Sequence, residues 1–254
     1  MKKNKSTPQL KVTFLFACVL TLCFFNKEVK AQQISNINMD SIQLAVANPE
    51  SDYYYPTLLK RLKDLDTTLN LKEYRHLYYG NVFEKSYHPY GSSKLRKDFL
   101  EAYDIYSQQP QELKGVVKQG DEVLLENPVD LEVLLKMAIA HLVIGEDKKA
   151  KVYGKIYYSF LDVIYSSGNG RSAESAWVVT SVDDEYRIVG DLGLRVMDQS
   201  LIGECDRLLF SKKGQKRKTM IKELYFNVRL PLTHLSKSYD KSPLPDPDKK
   251  VDQD

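Results

Sequence analysis

From about residue 38 to residue 167 the apolar positions recur at helical spacing. Leu58, Leu59, Leu62 and Leu65 form one stripe, and Leu71, Tyr74, Leu77, Tyr78 and Val82 the next. Leu95, Phe99, Ala102, Tyr103 and Tyr106 keep to the i, i+3, i+4, i+7 template that places side chains on one helix face. Leu113, Val116, Val117 and Leu124 follow Pro110; then come Leu131, Leu134, Leu135, Ala138 and Leu142, and finally Tyr153, Ile156, Tyr157, Phe160 and Ile164. Gly80, Gly91, Asn127-Pro128 and Gly145 stand where these stripes end, as helix-terminating residues do. The connections are short, so consecutive helices are expected to pack as antiparallel hairpins. Leu134, Met137, Ala138, Gly145 and Ala150 match part of a tetratricopeptide repeat, but no second copy follows. The expectation is an irregular array.

After Ser166-Ser167-Gly168-Asn169-Gly170 the period changes. Trp177 to Val182 is β-branched, and Tyr186, Ile188, Gly190, Leu192 and Leu194 alternate with Glu185, Arg187, Val189, Asp191 and Gly193. Both stretches read as strands, as do Asp206–Phe210 and Leu224–Val228. The pattern predicts an α+β protein, a helical-hairpin array over 32–167 carrying a small antiparallel β-sheet over 168–238. The Lys-, Asp- and Pro-rich residues 239–254 read as a disordered tail.

Charge alters the picture at the N-terminus. The 254 residues hold 37 Lys+Arg against 34 Asp+Glu, a net of +3. Residues 1–31 carry six lysines against the single Glu28, so the other 223 residues have 31 basic and 33 acidic side chains, a net of −2. A broadly basic protein is thereby excluded. Lys-rich residues 1–11, the uncharged run Val12–Phe25 and the small Ala31 after Val29-Lys30 form a three-part export signal, with Gln32 as the expected mature start. Fourteen apolar residues fall short of the ~20 needed for a spanning helix, and no later run approaches that length. An uncleaved anchor, or lipidation at Cys18 or Cys23, is the competing outcome. Cleavage would leave Cys205 as the sole cysteine, so no internal disulfide is expected.

Two stretches carry a family resemblance. Glu73-Tyr74-Arg75 runs through Leu77-Tyr78-Tyr79-Gly80 to Tyr87-His88-Pro89-Tyr90; Gly168-Asn169-Gly170-Arg171-Ser172 precedes Asp184-Glu185-Tyr186, Leu192-Gly193-Leu194 and Leu224-Tyr225-Phe226-Asn227. Together they resemble a family of secreted Bacteroidota proteins known as domain of unknown function 4919, over roughly residues 40–236. The resemblance implies a Gram-negative envelope, periplasmic or extracellular location. It implies no activity, and no functional residue can be carried over from it.

The residues themselves point to no catalytic constellation, no metal site and no cofactor. His76, His88, His141 and His234 form no H-x3-H or H-E-x-x-H pair, and His141 reads as a core or groove histidine. Gly168–Ser172 lacks the spacing of a phosphate loop and reads as a turn that needs positive φ. Of 17 tyrosines, ten lie between Tyr53 and Tyr106. Adjacent rings cannot share one helix face, so some should project into a groove or onto the surface. The candidate binding surface is Tyr78, Tyr79, Tyr87, His88 and Tyr90, for a protein, peptide or glycan. The competing reading has the rings plugging helix junctions.

Lys212, Lys213, Lys216, Arg217 and Lys218 form a candidate loop for an anionic partner, against the plainer reading of a solvated hairpin loop. Nucleic acid is disfavoured by the export signal and the charge balance. The leading expectation is thus a non-enzymatic binding protein with a tyrosine-rich helical groove. The rival is a hydrolase or transferase with carboxylates scattered in sequence, drawing on Asp183, Asp184, Glu185 and Arg187. A third reading is a structural part of an envelope assembly, with Cys205 available for an intermolecular disulfide if exposed.

Overall fold

The computed structural model describes residues 36–90, 93–216 and 220–240. The expected export segment, Gly91, Arg217, Lys218 and the tail beyond 240 lie outside these residues. Seven helices come first: α1 (Met39–Ala47), α2 (Tyr55–Lys63), α3 (Leu71–Gly80), α4 (Lys94–Tyr106), α5 (Pro110–Glu126), α6 (Leu131–Val143) and α7 (Asp147–Tyr165). Their starts follow local chemistry. Asn70 and Glu73 form a capping box on α3, Ser93 caps α4, and the Asp130 carboxylate accepts from Val133 N on α6. Proline opens α5, where its missing N–H costs nothing.

Neighbours in sequence pack on one another through α4, α5, α6 and α7, while α3 crosses back onto α7 and is flanked by α1 and α2. Tyr74 meets Phe160 edge-on at 5.2 Å, which sets the α3–α7 contact. Gly120 sets another: a Cβ there would lie 2.2 Å from Met137 Sδ and 2.8 Å from Phe99 Cε2, so α4, α5 and α6 converge only because the position is bare. The sequence-predicted helical half is the structure found.

The second half is a four-stranded sheet laced with helices. Strands β1 (Trp177–Val178), β2 (Val196–Ile202), β3 (Cys205–Phe210) and β4 (Glu223–Asn227) are ordered β1-β4-β3-β2. Helix α8 (Val182–Asp191) falls between β1 and β2, and α9 (Arg229–Asp240) follows β4. The sheet is mixed, not purely antiparallel: β1 runs parallel to β4, with Trp177 opposite Phe226. The turn expected at Gly168–Gly170 is present, with Gly170 at φ +68 and its carbonyl accepting from Tyr225 N at 2.9 Å. One core runs unbroken from Ile37 to Val228, joining both halves.

The strand expected over 185–194 is helix α8 as far as Asp191 and a turn beyond it, and the strand expected over 177–182 stops at Val178. Ser181 accepts from Asp183 N as the helix cap, and Asp183, Asp184 and Glu185 occupy a first turn where negative charge is favoured. Its inward face is Asp184, Glu185, Ile188 and Val189, a helical set that contains two acids. That is why an apolar count missed it. Strand β2 escaped notice for the opposite reason: at the sheet edge it has exposed residues on both faces and so shows no alternation.

Candidate functional site

Helix α3 and the loop after it hold the segment entering α8 by tyrosine hydroxyls. Tyr78 donates to Asp184 Oδ2 at 2.6 Å and accepts from Thr180 N at 3.1 Å. Tyr79 donates to the Val178 carbonyl at 3.1 Å, and Tyr87 to that of Thr180 at 2.6 Å. Ser181 Oγ bonds the Pro89 carbonyl. Extended backbone between a strand and a helix carries groups that no regular ladder satisfies, and these side chains supply the missing partners.

Beside this latch lies a polar pocket of about 90 Å³ walled by Tyr87, His88, Arg96, Asp130, Asp183 and Asp184. Two helix starts converge on it. Arg96, in the first turn of α4, donates Nε to Asp130 Oδ2 at 2.6 Å and holds Asp183 at 3.0 Å. Asp130 also caps α6, so one carboxylate fixes two helices. Asp184 is 5 % exposed. Burial pushes its carboxyl up to about 7, opposed by the Tyr78 hydrogen bond and reinforced by the charges of Asp130 and Asp183. The group can therefore carry or release a proton near neutrality. Asp130 is also raised by burial, with Arg96 opposing.

A second buried acid faces away from the pocket. Glu185 is fully enclosed, with neither carboxyl oxygen reached by a donor, and its neighbour is Asp206 of β3. Two carboxylates cannot share such a space without a proton, and burial raises Glu185 to about 9, so Glu185 carries it. Gln199 Nε2 donates to Asp206 Oδ2 at 2.9 Å, leaving the charge on the strand side.

The expected binding surface is thus redistributed. Tyr78 and Tyr79 are fully buried and Tyr87 nearly so, which removes their rings from any recognition face. The physical reason is the latch: each ring fills the α3 junction while its hydroxyl satisfies backbone or carboxylate. Of the five, only His88 and Tyr90 remain exposed, and only Tyr87 and His88 line the pocket. Arg96, Asp130 and Thr180 were missed; the aspartate ahead of the apolar run at Leu131 was the one available signal, as a helix cap.

Of the rival set, Asp183 is exposed, Asp184 and Glu185 are buried, and Arg187 is bound to Glu132 and Asp191 at 2.8 Å each. They form a helix start with two inward acids. Cys205 is 6 % exposed and its thiol points to the Ala173 carbonyl, so it offers no intermolecular disulfide. Lys212, Lys213 and Lys216 are exposed in the β3–β4 loop, far in sequence from every pocket residue.

His141 is buried, as expected of a core or groove histidine, and half satisfied: Nδ1 lies 2.9 Å from Glu146 Oε2 while Nε2 has no partner. Among the described residues no group of His, Cys, Asp and Glu could hold a metal ion, and no helix is long and apolar enough to cross a membrane. No curated protein and no solved structure matches the chain. A family model does, over residues 40–237, and on that match the chain belongs to the family described as a domain of unknown function, DUF4919.

Proposed function

We propose that the chain is an exported binding protein, and that the Arg96–Asp130–Asp184 pocket takes a primary amine presented by a peptide or an amino sugar. The observation that carries this is Asp184, a carboxyl poised near neutrality on the wall of a pocket where Asp130 and Asp183 outnumber Arg96. An ammonium group entering there meets net negative charge and fits a space of about 90 Å³ that would admit little more. Binding would favour the ionised carboxylate, so it should release a proton. Export rests on the Lys-rich start and the run Val12–Phe25; mass measurement of the secreted form should give Gln32 as its first residue.

The test is calorimetric titration with a lysine-rich peptide and with glucosamine, in buffers of different protonation enthalpy. Affinity should rise as pH passes through about 7, with proton release, and Asp184→Asn should abolish the pH dependence. Binding indifferent to pH and to that substitution would remove the proposal. The other titratable groups lining the site are Tyr87, His88, Arg96, Glu126, Asp130, Glu132 and Asp183. The same poised carboxyl also favours a second reading, a hydrolase using Asp184 as general acid. Turnover of a glycoside or peptide panel, lost in Asp184→Asn, would decide for it.

A further inference from the structure

The β3–β4 connection gathers positive charge at one end of the sheet. Residues 211–222 hold six Lys and Arg, no acid and no aromatic residue. The other 211 residues from Gln32 onward hold 25 basic and 33 acidic side chains, a net of −8. One positive pole is thus set on an otherwise acidic chain, the arrangement that orients a protein against an anionic partner.

The loop does not need its lysines to hold its shape. Gln215 Nε2 donates to the Ser211 and Ile221 carbonyls at 2.8 Å each, and its Oε1 accepts from Ile221 N at 2.7 Å. Ser211 Oγ accepts from Lys213 N at 3.1 Å, and Gly214 turns the chain at φ +89. Lys212, Lys213 and Lys216 are left exposed, as is Lys222 at the foot of β4. Arg195, also exposed, joins them, because its carbonyl accepts from Ser211 N at 2.9 Å where Val196 pairs with Phe210. No described acid forms an ion pair with any of these five. Glu223, next to Lys222, is taken by Arg207, and Asp198 is the exposed acid that remains on β2. Like charges held together repel, and an anionic surface relieves that cost.

An exposed methionine stands in the same place. The β2–β3 register slips between Val196 and Asp198, a bulge that leaves Met197 71 % exposed two residues from Arg195. Cations beside a projecting apolar side chain match the boundary of a lipid bilayer, where phosphates take the one and acyl chains the other. A soluble polyanion would leave Met197 in water, and residues 211–222 offer no aromatic face on which a sugar ring or a base could stack. We infer that this end of the sheet docks on anionic phospholipid, with Arg195, Lys212, Lys213, Lys216 and Lys222 on the headgroup phosphates and Met197 at the acyl chains. None of these residues lines the amine pocket.

Sedimentation with phosphatidylcholine vesicles, with and without phosphatidylglycerol, tests this on the chain from Gln32, which keeps the whole core and omits the Lys-rich, apolar residues 1–31. Binding should require phosphatidylglycerol and weaken as salt is raised. Each lysine near such a surface is worth about fivefold, so Lys212→Gln/Lys213→Gln/Lys216→Gln should weaken binding about a hundredfold. Met197→Ser should weaken it about tenfold. All four positions are exposed, so the variants should keep the circular dichroism and melting of the unaltered protein. Failure to pellet with phosphatidylglycerol, equal binding to neutral vesicles, or a triple variant that binds as before overturns the charged surface. A Met197→Ser variant that binds as before overturns the membrane, and tight binding of dextran sulfate by that variant would identify a soluble polyanion as the partner instead.

Discussion

Tyr78 and Asp184 lie 106 residues apart in sequence and share a 2.6 Å hydrogen bond in the core, the hydroxyl donating to Oδ2. Tyr78 also accepts from Thr180 N, so its oxygen serves two buried groups at once. Tyr78→Phe should therefore destabilise by more than one hydrogen bond, about 2–4 kcal/mol, because two partners are stranded. Tyr79→Phe strands the Val178 carbonyl but no buried carboxyl, and should cost about 1 kcal/mol. Urea denaturation of the two variants checks the order; equal losses would mean the double role of Tyr78 has no energetic weight.

Stability should fall as pH rises. Asp184 and Glu185 have folded values raised to about 7 and about 9, above the ordinary carboxylate range, chiefly by burial. The folded state thus holds more protons across these windows, and the stability they contribute is complete at low pH and lost as pH climbs through the folded values. The urea midpoint should drop between about pH 4 and 9, and Glu185→Gln should flatten the upper part of that slope. His141 acts in the opposite sense: its lowered value costs stability as pH falls below the ordinary histidine range.

Two helical glycines should respond oppositely to alanine. Gly120→Ala forces Met137 and Phe99 apart and should destabilise by about 1–3 kcal/mol. Gly154→Ala in α7 meets nothing within 4 Å and should stabilise by about 0.5–1 kcal/mol from helix propensity. Thermal melts would show Tm shifts of opposite sign.

The Cys205 thiol should resist aromatic disulfide reagents in the native state and react on unfolding. It is buried against Ala173, and burial together with Glu204 raises its ionisation above the ordinary thiol range. Rapid labelling of the native protein would contradict that placement.

Helices α2 to α7, unlike α8, were legible because each buries a continuous apolar stripe and ends at a recognisable cap. The candidate site was only partly so. Tyr87 and His88 could be picked out from the density of tyrosines, but Arg96 and Asp130 look like surface charges in sequence and become a pair only when α4 and α6 start side by side. The error at α8 has the same root. Asp184 and Glu185 are polar letters on a buried face, and a periodicity count assigns such letters to solvent.

Local chemistry is enough to determine the order of the helices, the caps at Asn70, Ser93 and Asp130, and the turn at Gly170, since these depend on residues a few positions apart. It also assigns a charge of +5 to the N-terminal 31 residues, so the +3 of the whole chain comes from them, and leaves the remainder slightly acidic at −2. The tertiary structure alone decided which tyrosines face inward, that Asp184 is held near neutrality, that Glu185 shares its space with Asp206, and that His141 is buried with Nε2 unpartnered. Those properties arise from desolvation and from partners up to about a hundred residues away, such as Tyr78 for Asp184. Neither cause leaves a mark in the neighbouring sequence.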